Sequence, residues 1–137
     1  MYPEEICTPM RLDLTEAGFE EMRNAQEVDT ILSEKSGSVL VMINSVCGCA
    51  AGNARPAVKI AAKHSKVPNK LTTVFAGQDK EAVAKVRDYC VPYPPSSPSI
   101  ALFKDGELVH FIERHHIEGR PAEMIAENLI QAFDENC

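Results

Sequence analysis

The segment Ser38-Val39-Leu40-Val41-Met42-Ile43-Asn44 constrains the fold of this chain more than any other. It is a continuous apolar run rich in β-branched side chains, without the polar alternation of a strand that has one wet face. Such a run predicts a strand buried on both faces of a sheet, which requires helices on either side. Leu71–Ala76 (LTTVFA) has the same character and predicts a second such strand. Between them, Ala50 to about Lys66 reads as a helix kinked at Pro56. Strand, helix, strand is the unit that lays two strands parallel.

The flanking segments extend this pattern. Ile6, Met10, Leu12 and Leu14 predict a short helix from Glu4 to about Leu14, weakened by Pro3 and Pro9. Asn24 and Glu27 form a capping-box signal, after which Val28, Ile31 and Leu32 fall at helical spacing. Gly37 stops that helix near Ser36. Ala82, Val83, Val86 and Tyr89 predict a helix over Gln78–Cys90, followed by an irregular stretch with Pro92, Pro94, Pro95 and Pro98. Lys104-Asp105-Gly106-Glu107 separates two hydrophobic runs, Ser99–Phe103 and Leu108–Ile112, and marks a hairpin. A last helix opens at Pro121 and runs to about Phe133. The whole reads as one α/β domain over residues 1–137, a central mixed sheet with helices on both faces.

Charge and cysteine usage narrow the function. The chain has 137 residues, with 14 Lys and Arg against 20 Asp and Glu, a formal net charge of -6. That balance argues against a nucleic-acid partner, which needs a concentrated positive face. No apolar run approaches the ~18 residues of a membrane span, and MYPEEICTPMRLDL lacks the basic-then-apolar order of a secretory signal. The five cysteines are odd in number, which excludes a complete disulfide framework. The expectation is a cytoplasmic protein that uses its thiols.

Cys47-Gly48-Cys49 falls where the first buried strand hands over to a helix. Unpaired backbone N–H groups and the positive end of the helix dipole favour a thiolate there, and the thiolate is the reactive form. No acidic residue occurs from Ser36 to Lys59, while Arg55 follows in the same helix. Residues two apart can place their Cα atoms at most ~7 Å from one another. A disulfide needs roughly 4.4–6.8 Å, so the pair can close, in a ring one residue tighter than Cys-x-x-Cys. Gly48 is the residue best able to take the bend. A tight ring predicts an easily reduced, oxidising pair. Cys47, at the turn, is the expected nucleophile, with Cys49 in the first helical turn. Cys7 and Cys90 read as small core hydrophobes and Cys137 as a mobile tail thiol. A metal or iron–sulfur site is the competing reading. Two sulfurs are too few for the usual four ligands, and Cys90, Cys137, His64 or the His115-His116 pair would have to complete the set. From physics alone, Pro98 is expected to follow a trans peptide bond.

The residues also carry a resemblance. Ser97-Pro98-Ser99-Ile100-Ala101-Leu102-Phe103-Lys104-Asp105-Gly106-Glu107 is similar to the thioredoxin stretch in which a cis-proline opens a strand and hairpin opposite the active cysteines. That similarity implies a thioredoxin-like fold and a cis Pro98 close to Cys47. The chain departs from thioredoxins in having Cys-Gly-Cys for Cys-x-x-Cys, with no Trp before it. Asn44-Ser45-Val46-Cys47-Gly48-Cys49-Ala50-Ala51-Gly52, Arg55-Pro56, Thr73-Val74-Phe75-Ala76-Gly77-Gln78-Asp79-Lys80-Glu81, Pro95-Ser96-Ser97-Pro98-Ser99, His110-Phe111-Ile112 and Ala132-Phe133-Asp134 with Cys137 resemble the bacilliredoxin family. The resemblance implies a thiol–disulfide oxidoreductase that removes bacillithiol from client proteins, its partners being S-bacillithiolated clients and bacillithiol as co-substrate, with no bound cofactor. Cys47 would attack, and Cys49 or a second bacillithiol would resolve the adduct. Gly48, Arg55, Ser97 and Pro98 are then candidate substrate contacts, Arg55 because bacillithiol carries carboxylates. A general protein disulfide isomerase or oxidase is the alternative within the same chemistry, and a metal or iron–sulfur carrier the alternative outside it.

Overall fold

The run Ser38–Asn44 forms a strand buried at every position, and the rest of the chain is built around it. The computed structural model describes all 137 residues. In chain order its elements are α1 (Glu4–Thr15), β1 (Glu20–Glu21), α2 (Ala25–Leu32), β2 (Ser38–Asn44), α3 (Arg55–Ala61), β3 (Lys70–Phe75), α4 (Lys80–Tyr89), β4 (Ser99–Lys104), β5 (Glu107–Ile112) and α5 (Ala122–Asn136). All five strands join one sheet in the order β1-β3-β2-β4-β5. β1, β3 and β2 run parallel, β4 is antiparallel to β2, and β5 is antiparallel to β4.

Alternation along the central strand sorts the core into two layers. Leu40 and Met42 of β2 pack with Ala57, Val58 and Ala61 of α3 and with Ile125, Leu129 and Phe133 of α5. Val39, Val41 and Ile43 pack on the other face, with Val28, Ile31 and Leu32 of α2 and Ala82, Val83 and Val86 of α4. β3 buries Thr72 and Thr73 without loss, because their hydroxyls donate to the carbonyls of Leu40 (2.8 Å) and Met42 (2.7 Å) on β2. The hairpin turn has φ of 52° at Asp105 and 84° at Gly106, the left-handed pair that Asp-Gly favours.

Several local features differ from expectation. α1 runs through Pro9 to Thr15, held by Arg11. Arg11 is 6% exposed, and its guanidinium pairs with Glu4, Glu21 and Asp79 and lies over the Phe75 ring. α2 stops at Leu32 rather than near Ser36, because the chain must unwind to meet the hairpin turn. There Gly37 N–H donates to Asp105 Oδ1 (2.9 Å), and Asp105 N–H donates to Gly37 O (2.8 Å). The reciprocal cap also sits differently. Asn24 accepts from Glu27 N–H, while Glu27 accepts from Arg23 N–H rather than from that of Asn24.

The helix after Cys49 is not a single kinked α-helix. Ala50–Ala54 form a π-helical turn, and α3 then spans only Arg55–Ala61. Pro56 has no N–H to give Gly52, and its ring would crowd that carbonyl in a regular α-helix. The wider turn absorbs the misfit before the proline is reached. The Ser97–Pro98 peptide is cis, as the thioredoxin resemblance implies and contrary to the expectation from physics alone. Val91–Pro92 is cis as well.

Candidate active site

The site begins at the C-terminal end of β2, where a buried polar cluster fixes the turn. Asn44 is 1% exposed and Arg55 5%. Arg55 Nη1 donates to Asn44 Oδ1 (2.8 Å) and to Ser45 O (2.9 Å), while Asn44 Oδ1 also accepts Ser45 N–H (2.9 Å). On its other side, Arg55 Nε lies 3.4 Å from Asp13 Oδ2, and Asp13 Oδ1 is 2.6 Å from Lys59 Nζ. Arg55 therefore sits beneath the turn and does not line the cleft above it. Asp13 also brings a carboxylate to a region whose own sequence has none.

Cys47 and Cys49 are both half-buried free thiols, their sulfurs 2.8 Å apart. Ser45 Oγ donates to Cys47 Sγ (3.3 Å) and accepts Cys47 N–H (3.3 Å). Burial opposes ionisation of Cys47, but donation from Cys49 and Ser45 and from the Ala50 and Cys49 amides outweighs it. The Cys47 thiol is held below its ordinary value. Cys49 moves the other way: burial, its bond to Cys47 and repulsion from that anion push it up. The two thiols are thus shifted apart, Cys47 toward the anion and Cys49 toward the protonated form.

A shallow cleft of about 180 Å³ opens over Cys47, lined by Tyr2, Ser45, Val46, Cys47, Ala76, Gly77, Ser97 and Arg114. Of the candidate contacts, Ser97 joins Cys47 in this cleft. Gly48 is exposed beside it, and Pro98 is buried behind Ser97. Arg114 and Tyr2 escaped sequence reasoning. Arg114 follows β5 in a 3₁₀ turn, donates from Nη1 to Ser97 O (3.1 Å), and lies in electrostatic range of both active sulfurs. Its Nε pairs with Glu118 (2.9 Å). Nothing in the linear pattern links residue 114 to residue 47, because β4 and β5 intervene.

Residues 2–137 match a family model described as "Disulphide isomerase". A bacilliredoxin of Cytophaga hutchinsonii is 58% identical over 98% of this chain and 99% of its own length. This chain belongs to the bacilliredoxin family. A bacilliredoxin of Halalkalibacterium halodurans is 53% identical over 99% of this chain and 94% of its own. Among solved structures, a putative oxidoreductase with a thioredoxin fold superposes with a TM-score of 0.66, 15% identity, and coverage of 85% of this chain and 95% of that one. Thioredoxin of Fasciola hepatica gives 0.61 at 18% identity, covering 87% and 100%. The fold is thus thioredoxin-like, and bacilliredoxin membership makes the chain a thiol–disulfide oxidoreductase.

The remaining cysteines lie elsewhere. Cys7 and Cys90 are buried, and burial pushes the Cys90 thiol up to about 12. Cys137 is no mobile tail: it is half-buried, packs against the α5 layer, and donates its N–H to Phe133 O (2.7 Å). No helix is long and apolar enough to cross a membrane.

Proposed function

We propose that this bacilliredoxin family member removes bacillithiol from mixed disulfides on client proteins in the cytoplasm. The observation that carries the reading is the asymmetric thiol pair at an open cleft, Cys47 favoured as the anion and Cys49 held protonated at 2.8 Å. The Cys47 thiolate attacks the bacillithiol sulfur, the bond to the client sulfur breaks, and the client leaves as a thiolate that takes a proton from water. Cys49, once deprotonated, then attacks Cys47 and expels bacillithiol, leaving a Cys47–Cys49 disulfide. Alternatively, a second bacillithiol takes the adduct off as bacillithiol disulfide. Arg55 acts here as a positioning residue beneath the turn rather than as a substrate contact.

The Cys49→Ser protein, incubated with a bacillithiolated client, is expected to retain one bacillithiol on Cys47, read by intact mass and peptide mapping. Absence of the adduct, or its persistence when Cys47 is also replaced by Ser, overturns the assignment. General protein disulfide isomerisation is favoured by the description of the matched family model. Reactivation of scrambled ribonuclease, measured beside release of a bacillithiolated client, ranks the two. A metal-carrier reading finds little support in the donor set. No third metal-capable side chain joins the two sulfurs, and the cluster that brings three such groups together is Glu113, His115 and His116.

A further inference from the structure

The cleft over Cys47 has two walls that the thiol chemistry alone does not explain. One is Tyr2, held by a side-chain clamp: Tyr2 N–H donates to Gln78 Oε1 (2.6 Å), and Gln78 Nε2 donates to Tyr2 O (3.0 Å) and to Glu4 Oε2 (3.0 Å). The clamp lays the tyrosine ring on Gly77, 3.2 Å from where a side-chain carbon would stand. Gly77, at φ +88°, is therefore required twice, for its backbone and for the ring above it. The other wall is Arg114. Its backbone N–H donates to Ser96 Oγ (3.3 Å) and its Nη1 to Ser97 O, while Nε is taken by Glu118. Nη2 makes no hydrogen bond within the protein, so the guanidinium of this cleft-lining, part-exposed arginine keeps a charged donor free for a ligand.

We propose that the space between Tyr2 and Arg114 is the binding subsite for the low-mass half of the mixed disulfide, with Arg114 taking a carboxylate of an anionic thiol. This rests on the reading of the substrate as a bacillithiol mixed disulfide and adds the residue that selects it. The size fits. A volume of about 180 Å³ holds roughly six water molecules at about 30 Å³ each, enough for a small thiol's nearest groups and not for a folded client chain. The charge fits as well. In a chain of net charge -6, a cation beside the attacking sulfur distinguishes an anionic thiol from a neutral one. The client half is left to the open side, where Gly48 is exposed.

The test compares two mixed disulfides of one peptide, one with bacillithiol and one with 2-mercaptoethanol, by the rate of peptide thiol release. Arg114→Gln is expected to slow the bacillithiol disulfide about tenfold more than the 2-mercaptoethanol disulfide, the low end of electrostatic steering, since any loss of support for the Cys47 anion is common to both. Arg114→Lys should recover part of the loss, and added salt should shrink the wild-type preference. Equal slowing of both disulfides means that Arg114 serves the Cys47 anion, and no slowing of either means that the subsite lies elsewhere. Both results overturn the proposal while leaving the function in place. A wild-type protein inert toward the bacillithiol disulfide but active on the other defeats the function itself, and the proposal with it.

Discussion

Cys47 and Cys90 each have an arginine in electrostatic range, yet they ionise in opposite directions. Cys47 lies near Arg55 and Arg114 and is held below the ordinary thiol value. Cys90 lies near Arg87 and is pushed up to about 12. The cation does not decide the outcome. Cys47 receives a hydroxyl, a neighbouring thiol and two backbone amides, whereas Cys90 ends α4 among Val28, Val83, Val86 and the rest of that core layer. Local donors and access make a cysteine reactive, and a nearby positive charge in a dry layer does not compensate for burial.

The largest expected effect is in alkylation. Iodoacetamide at neutral pH should label Cys47 of the folded protein first. Cys90 should stay unlabelled until denaturant is added, since it is reached only through openings that expose the core. Mapping by mass checks this, and comparable labelling of the two in the native state breaks the contrast. A difference in stability follows from the arginines themselves. Arg55 is engaged through Nη1 and Nε, whereas Arg87 Nε is buried without a partner. Arg55→Met should cost roughly 2–3 kcal/mol, the value of hydrogen bonds from a buried charged group, read from the urea midpoint. Arg87→Met should cost much less, because it removes a desolvated charge whose bonding is incomplete. Equal losses would show that the arginine network under Cys47 has no special structural role.

How much of this was legible beforehand depends on the range over which each residue acts. β2 and β3 are read from their own apolar runs, the hairpin from Asp-Gly, and the two faces from strand alternation. Cys47-Gly48-Cys49 is equally local, so the candidate thiol pair was visible as a pattern. Arg55 was visible as a cation in the right helix. Its direction was not, because Asn44, Ser45 and Asp13 draw it inward, and Asp13 comes from a different element. Arg11 is the same lesson elsewhere: on its helix it reads as a solvated charge, and only the fold brings Glu21 and Asp79 around it. Arg114 and Tyr2 were invisible because their relation to Cys47 exists only once β4, β5 and α1 are in place. The π turn was hidden for a different reason. A proline announces a misfit but not whether the helix will bend at it or widen before it.

The smallest expected effect tests the donor side of the contrast most directly. Ser45→Ala removes the hydroxyl that donates to Cys47 Sγ at 3.3 Å and leaves Cys49 and the amides in place. One such bond is worth about 1 kcal/mol, so the alkylation rate of Cys47 at neutral pH should fall about fivefold. Its pH profile should move upward toward that of a free thiol. The linked stability change has a definite sign. Because folding lowers the Cys47 value, the folded protein gains stability as pH rises through the folded value toward the unfolded one, and loses it as pH falls back through the folded value. Because folding raises the Cys90 value, that thiol withdraws stability as pH rises above the unfolded value of about 8.5 toward the folded value of about 12. Ser45→Ala should therefore flatten the gain below the unfolded thiol value and leave the alkaline loss untouched. A mutant whose alkaline limb changed instead would mean that the hydroxyl acts through packing rather than on the Cys47 anion.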